Sequence, residues 1–204
     1  MNNTVLNFAA VNSKERLYLA LVVAFMVTFA IPVLQTAGVM PAIIISGSML
    51  GGLVGWYYTS LRHPTDPRKI LPIYLLTIFM LYTHIGEEYW GGFGPRIGAI
   101  TGTGWSQSEF VMQFVFYLPT FWILGALGLY YRHPLANFMA WFIFFGMFLG
   151  EPTHLLVFPL AEGGRYHYFP GMWSALLPTV MGCWGIVVIW QDYRTTRKGE
   201  EVTR

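Results

Sequence analysis

The chain has 204 residues, of which 55% are hydrophobic and only 11% charged, with a formal net charge of +2. A water-soluble domain carries about 25% charged residues, so the composition points to an integral membrane protein, and the small net charge speaks against a nucleic-acid partner. The single cysteine, Cys183, excludes an intrachain disulfide.

In chain order, residues 1–16 are polar and mixed, without a cleavable signal pattern, and form an N-terminal segment. A helix needs about 20 apolar residues to cross the hydrocarbon core. Six stretches meet that need: 17–37, which contains Pro32; 41–61, entered at Pro41; 70–90; 109–131; 135–157; and 171–191. The segment QTAGVMP has to turn tightly between the first two, because the apolar stretch around it is too long for one crossing. The expected fold is all-α: an integral membrane bundle of six transmembrane helices over 17–191, followed by a basic tail over 192–204. Gly47, Gly51 and Gly55 recur every fourth residue in the second span and form a face for close helix packing. The aromatic runs at 56–58 and 130–131 precede two copies of Arg-His-Pro, at 62–64 and 132–134, as interface anchors. His63 and His133 belong to those anchors.

Six spans put both termini on one side. That side holds Lys14, Arg16, Arg62, Arg68, Lys69, Arg132, Arg194, Arg197, Lys198 and Arg204, while only Arg96 and Arg165 lie opposite. The positive-inside rule makes the first side cytoplasmic, so a multi-pass protein of a bacterial inner membrane is expected, with both termini in the cytoplasm.

Against this apolar background, THIGEEYW at 83–90 places His84, Glu87 and Glu88 in the third span, and GEPTH at 150–154 places Glu151 and His154 in the fifth. On a helix, His84 and Glu88 share a face, Glu87 flanks it, and Glu151 and His154 share a face one turn apart. His84 follows His63 by 21 residues, as His154 follows His133, so the two reach similar depths. His167 lies at the mouth of the sixth span. A charge at the centre of a membrane helix costs about 2.5–3.5 kcal/mol. Three glutamates therefore have to face the interior, paired, protonated or bound to metal. A buried His–Glu network that only holds helices together is the structural alternative. His and Glu three apart on helices are familiar ligand pairs of helical dimetal carboxylate sites, and imidazole with carboxylate suits zinc, iron or manganese. The candidate metal ligands are His84, Glu87, Glu88, Glu151, His154 and His167, for one or two divalent ions, zinc or iron first. Glu87 is the first candidate for a catalytic base or bridging ligand, and His167 the next catalytic candidate. The segment 91–109 holds six glycines by residue 104, as a mobile lid or a plain connector. Glu109 is expected to cap the fourth span.

The motif HIGEE at 84–88, with THLLVFPL and YHYFPGMWSALLP further on, resembles the HXXEE-domain family of membrane proteins. The likeness covers roughly residues 70–190, with altered spacing at YFPG and an additional His167. It implies a multi-spanning bacterial membrane protein with active-site His and Glu residues, and it implies no particular reaction.

Three functions fit this pattern. The first is a metal-dependent hydrolase or oxidoreductase acting on a lipid or other hydrophobic substrate near the outer face. The second is a metal-free acid/base isomerase or cyclase of an unsaturated lipid. The third is a non-enzymatic ion-binding protein or subunit of a membrane complex. An oligomer or larger complex is compatible with all three.

Overall fold

The computed structural model describes residues 12–202, and they are helical with no strand among them. Most of the N-terminal segment expected over 1–16, and Arg204 at the other end, lie outside the described residues. The helices are α1 (Ser13–Thr36), α2 (Val39–Tyr58), α3 (Pro67–Gly91), α4 (Phe93–Thr101), α5 (Gln107–Val111), α6 (Leu118–Tyr130), α7 (Pro134–Leu149), α8 (Thr153–Leu156), α9 (Phe158–Ala161) and α10 (Leu176–Val202). A π-helical turn, Met112–Tyr117, joins α5 to α6.

Five stretches are long and apolar enough to cross a membrane: Ser13–Thr36, Val39–Tyr58, Pro67–Gly91, Gln107–Tyr130 and Pro134–Ala161. A sixth long helix, α10, packs on α7 and α3. Its apolar first half passes into a polar second half, QDYRTTRKGEEV. The helix runs on through the residues expected to form a tail, and it begins at Leu176 rather than 171 because residues 170–175 are turns. Large apolar side chains such as Ile43, Phe79, Ile123 and Val180 are exposed along the outside of the helices. Tyr58, Tyr130 and Tyr131 are exposed at one end of the bundle and Trp90, Tyr168 and Trp173 at the other. An apolar waist between two aromatic rims fits immersion in lipid.

Local signals start and stop these helices. Asn12 and Glu15 form a capping box on α1. Asp66 and His133 cap α3 and α7, each followed by a proline whose missing N–H is harmless at the first helical position. Ser106 and Glu109 form a second capping box, so Glu109 is a helix cap. The turn between α1 and α2 is made at Ala37 and Gly38, the latter at φ +91°. The glycine-rich stretch is not an irregular loop. It folds as α4, with Gly92, Gly102 and Gly104 at positive φ around its ends. Gly94 and Gly98 allow it to lie against the Phe110 side chain and the Trp105 backbone.

Helix α7 is the hub, packed on α2, α6 and α10. Its contact with α2 is built on small residues. A Cβ on Gly51 or Gly55 would enter the rings of Phe145 or Trp141, and one on Gly52 would stand 2.9 Å from the backbone N and Cα of Phe142. Gly47, expected on the same face, has nothing within 4 Å of a Cβ. Rings can turn aside and backbone cannot, so Gly52→Ala is expected to destabilise the fold by about 1–3 kcal/mol, the usual cost of overpacking. Gly47→Ala is expected to be silent. Denaturant unfolding in detergent distinguishes them.

The end where α1 begins and α10 finishes is fastened by polar contacts. Glu15 pairs with Arg62 at 3.0 Å, and His63 lies 3.4 Å from Glu200, so α1 begins and α10 ends beside the same connection. That connection is pinned from α7 and α10. Asn137 Oδ1 accepts from Thr65 N (3.0 Å), and Asp192 accepts from Asp66 N (3.0 Å) and Lys69 Nζ (2.6 Å). Trp141 Nε1 donates to Thr59 and Ser60 hydroxyls at 3.1 and 3.2 Å. The spans therefore bury polar groups at this end as well. Each of these groups is satisfied by the chain, and together they fix where α3 starts relative to α7.

Candidate metal centre

At the opposite end, α3 presents His84 and Glu88 on its buried face. The strand of sequence expected as one helix over 135–157 breaks after Leu149. Pro152 has no N–H for the helical ladder, and its ring obstructs the preceding turn. Glu151 sits in that break, and His154 lies in the single turn α8, its N–H bonded to the Glu151 carbonyl at 3.1 Å. A tight turn thus holds together the pair that a continuous helix would have aligned.

His84 and His154 meet edge to face, with ring centroids 4.6 Å apart. His84 Nε2 is 2.8 Å from Glu151 Oε2 and 3.6 Å from Glu88 Oε1, and His154 Nε2 is 3.5 Å from the same Glu88 oxygen. One ligand atom from each of His84, Glu88 and His154 lies within 4.8 Å of the others, and all three residues are buried. This group could hold a metal ion. Glu151, also buried, adjoins it through His84.

The donor atoms are oriented for such a role. His154 Nδ1 is 2.7 Å from the Pro170 carbonyl oxygen. A carbonyl only accepts, so Nδ1 carries a proton and donates to it, and Nε2 faces Glu88. Metal-binding histidines are commonly tied in this way through their other nitrogen. His84 Nε2 and Glu151 Oε2 are close enough to bond but are not aligned for it, and both are buried without a hydrogen-bond partner.

The walls are aromatic. Phe93 of α4 stacks on the His154 ring at 5.1 Å and 23°, and Phe158 meets it edge on at 5.1 Å. Gly171 closes the remaining side at φ +84°, where a Cβ would stand 2.5 Å from His84 Cε1 and 2.6 Å from His154 Nδ1.

Two of the six candidate ligands lie elsewhere. Glu87 turns to the segment before α10: Oε1 accepts from Tyr168 Oη (2.9 Å) and Trp173 N (3.2 Å), and Oε2 from Ser174 N (2.7 Å) and Ser174 Oγ (2.5 Å). A carboxylate has about four acceptor sites, and these donors fill them. His167 lies in a separate, partly exposed group. Its Nε2 is 2.7 Å from Glu162 Oε2, and Glu162 is also clasped by both Nε and Nη2 of Arg96. The Arg96 guanidinium beside Glu162 holds that carboxyl down at about 2, and the Glu162 carboxylate in turn raises His167. Arg96 also lies over the Phe169 ring at 4.8 Å, so this group fastens α4 over the buried cluster. Arg165 contributes its carbonyl oxygen to His167 Nδ1 at 2.7 Å.

Three contributors have no plain mark in the sequence. Ser174 and Gly171 are ordinary residues of a turn, and Glu162 looks like a loop carboxylate. Only the spacing of Phe93 with Ile97, and of Gly94 with Gly98, hints at α4 as an ordered cover.

No family model, curated protein or solved structure matches this chain.

Proposed function

We propose that this chain is a multi-pass protein of the bacterial inner membrane in which His84, Glu88 and His154 bind a divalent ion, zinc or iron, for hydrolytic or oxidative chemistry on a lipid or other hydrophobic substrate. The HXXEE-domain resemblance belongs to the same proposal and rests on HIGEE at 84–88. In this reading α10 is the sixth crossing and both termini are cytoplasmic. Arg62, Arg132, Arg194 and Arg197 at the termini end support that orientation.

One observation carries the metal reading: imidazole nitrogens and carboxylate oxygens converge in a buried space without hydrogen bonds between them. His154 Nε2 and Glu88 Oε1 face each other at 3.5 Å, while His84 Nε2 and Glu151 Oε2 lack any hydrogen bond. Buried polar atoms left in this way need a cation or a proton. A divalent ion held there supplies a Lewis acid that polarises a substrate oxygen. Glu151, beside His84 and outside the three-residue group, is placed to take or return a proton. Phe93, Phe158 and Phe169 keep bulk water out. The cluster is closed over, so a substrate enters only when α4 or the 162–171 segment shifts.

Elemental analysis of detergent-purified protein tests this. About one equivalent of zinc, iron or manganese per chain is expected, and background levels in folded protein refute the reading. The 2.8 Å approach of His84 to Glu151 favours a second one, a metal-free acid/base pair that isomerises or cyclises an unsaturated lipid. Turnover that survives strong chelation selects it.

A further inference from the structure

We propose that Glu87 and Ser174 form a relay that sets the ring orientation and tautomer of His84, making Glu87 a positioning residue and not a ligand. The effect on metal affinity rests on the reading of the cluster given above; the relay itself does not.

The proton directions follow from the partners. Ser174 Oγ has one proton and two close neighbours, Glu87 Oε2 at 2.5 Å and His84 Nδ1 at 3.1 Å. Glu87 already receives three other donors, so it acts as an acceptor only. The Ser174 proton therefore goes to Glu87. The serine oxygen is left as an acceptor, and His84 Nδ1 donates to it. The free face of the ring, Nε2, then points at Glu88 and Glu151.

The same turn orients the second histidine. Residues 170–174 supply the Pro170 carbonyl to His154 and the Ser174 hydroxyl to His84, with Gly171 between the two rings. Glu87 grips this turn through the backbone N–H groups of Trp173 and Ser174. One carboxylate on α3, a turn of helix away from His84, thus holds the piece of chain that aims both imidazoles. Partners of this kind beyond the metal ligands are worth about 10–100-fold in metal affinity when removed.

The test compares Ser174→Ala and Ser174→Thr with the parent, in detergent, by two readouts. Zinc affinity is measured by chelator competition. The Nδ1–H of His84 is followed by NMR of protein labelled with ¹⁵N-histidine, its signal identified from the spectrum of His84→Gln. Ser174→Ala is expected to bind zinc about 10–100-fold more weakly and to lose or shift the His84 Nδ1–H signal. Ser174→Thr, which keeps the hydroxyl, is expected to restore both. An unchanged Nδ1–H signal in folded Ser174→Ala overturns the relay, whether or not affinity falls, as does a parent His84 without a proton on Nδ1. A parent that binds no zinc removes the metal reading instead, and the ring signal still decides the relay.

Discussion

Purified His154→Ala protein is expected to lose bound zinc or iron to background, a fall of more than about 100-fold in affinity, beyond what loss of an outer-shell partner causes. His154 is the donor with the fewest alternatives. Its Nδ1 is committed to Pro170, its ring is stacked under Phe93, and its Nε2 faces Glu88 at 3.5 Å. Alanine removes a ligand, and neither Glu87, held by Ser174, nor His167, held by Glu162, is free to replace it. His84→Ala is expected to behave alike. Cooperative unfolding should persist in both, since the contacts that assemble α2, α7 and the termini end are untouched. Gly52→Ala should show the reverse pattern, with lower stability and intact metal content while folded. Elemental analysis beside an unfolding curve distinguishes the two classes, and parent-level metal in both histidine variants would sink the ligand assignment.

Gly171→Ala is expected to disable the site without removing a donor atom. At φ +84° an L-residue carries strain of about 1–2 kcal/mol. The new methyl would also press on both histidine rings, 2.5 Å from His84 Cε1 and 2.6 Å from His154 Nδ1. The rings have no free space to retreat into, since Phe93 and Phe158 back His154 and the relay from Ser174 holds His84. Metal affinity should drop by at least about tenfold, the lower end of losses caused by outer-shell disturbance, and Tm should fall as well. Gly47→Ala, with open space around its Cβ, is the matched control for adding a methyl to this bundle. Unaltered metal binding in Gly171→Ala would show that the 170–174 turn does not shape the site.

Much of the fold is legible from hydropathy because backbone groups in lipid have to be satisfied within each helix. Five of the six expected runs are long apolar helical stretches within a few residues of where the sequence places them, one passing through a π-helical turn and one broken at Pro152. The caps are local too: Asp66 before Pro67, His133 before Pro134, and Ser106 with Glu109 need only their own turns. The ionisable residues stand out because burying them in an apolar bundle is costly. Which of them meet is another matter. His84, Glu88, Glu151 and His154 converge, while Glu87, next in sequence to Glu88, points to the turn before α10.

By itself the sequence determined the helices and the short list of residues that cannot face lipid, since both depend on the chemistry of contiguous residues. Only the tertiary structure decided how that list divides among the buried cluster, the Glu87 contacts to the turn before α10 and the Arg96–Glu162–His167 group. It also decided that a helix break at Pro152, a glycine at 171 and a serine at 174 belong to the site. The reason is geometric: neighbouring positions on a helix point about 100° apart, so the partner each finds depends on which segment packs against that arc. Ser174 lies 90 positions from His84 in the chain, and no local rule spans that distance.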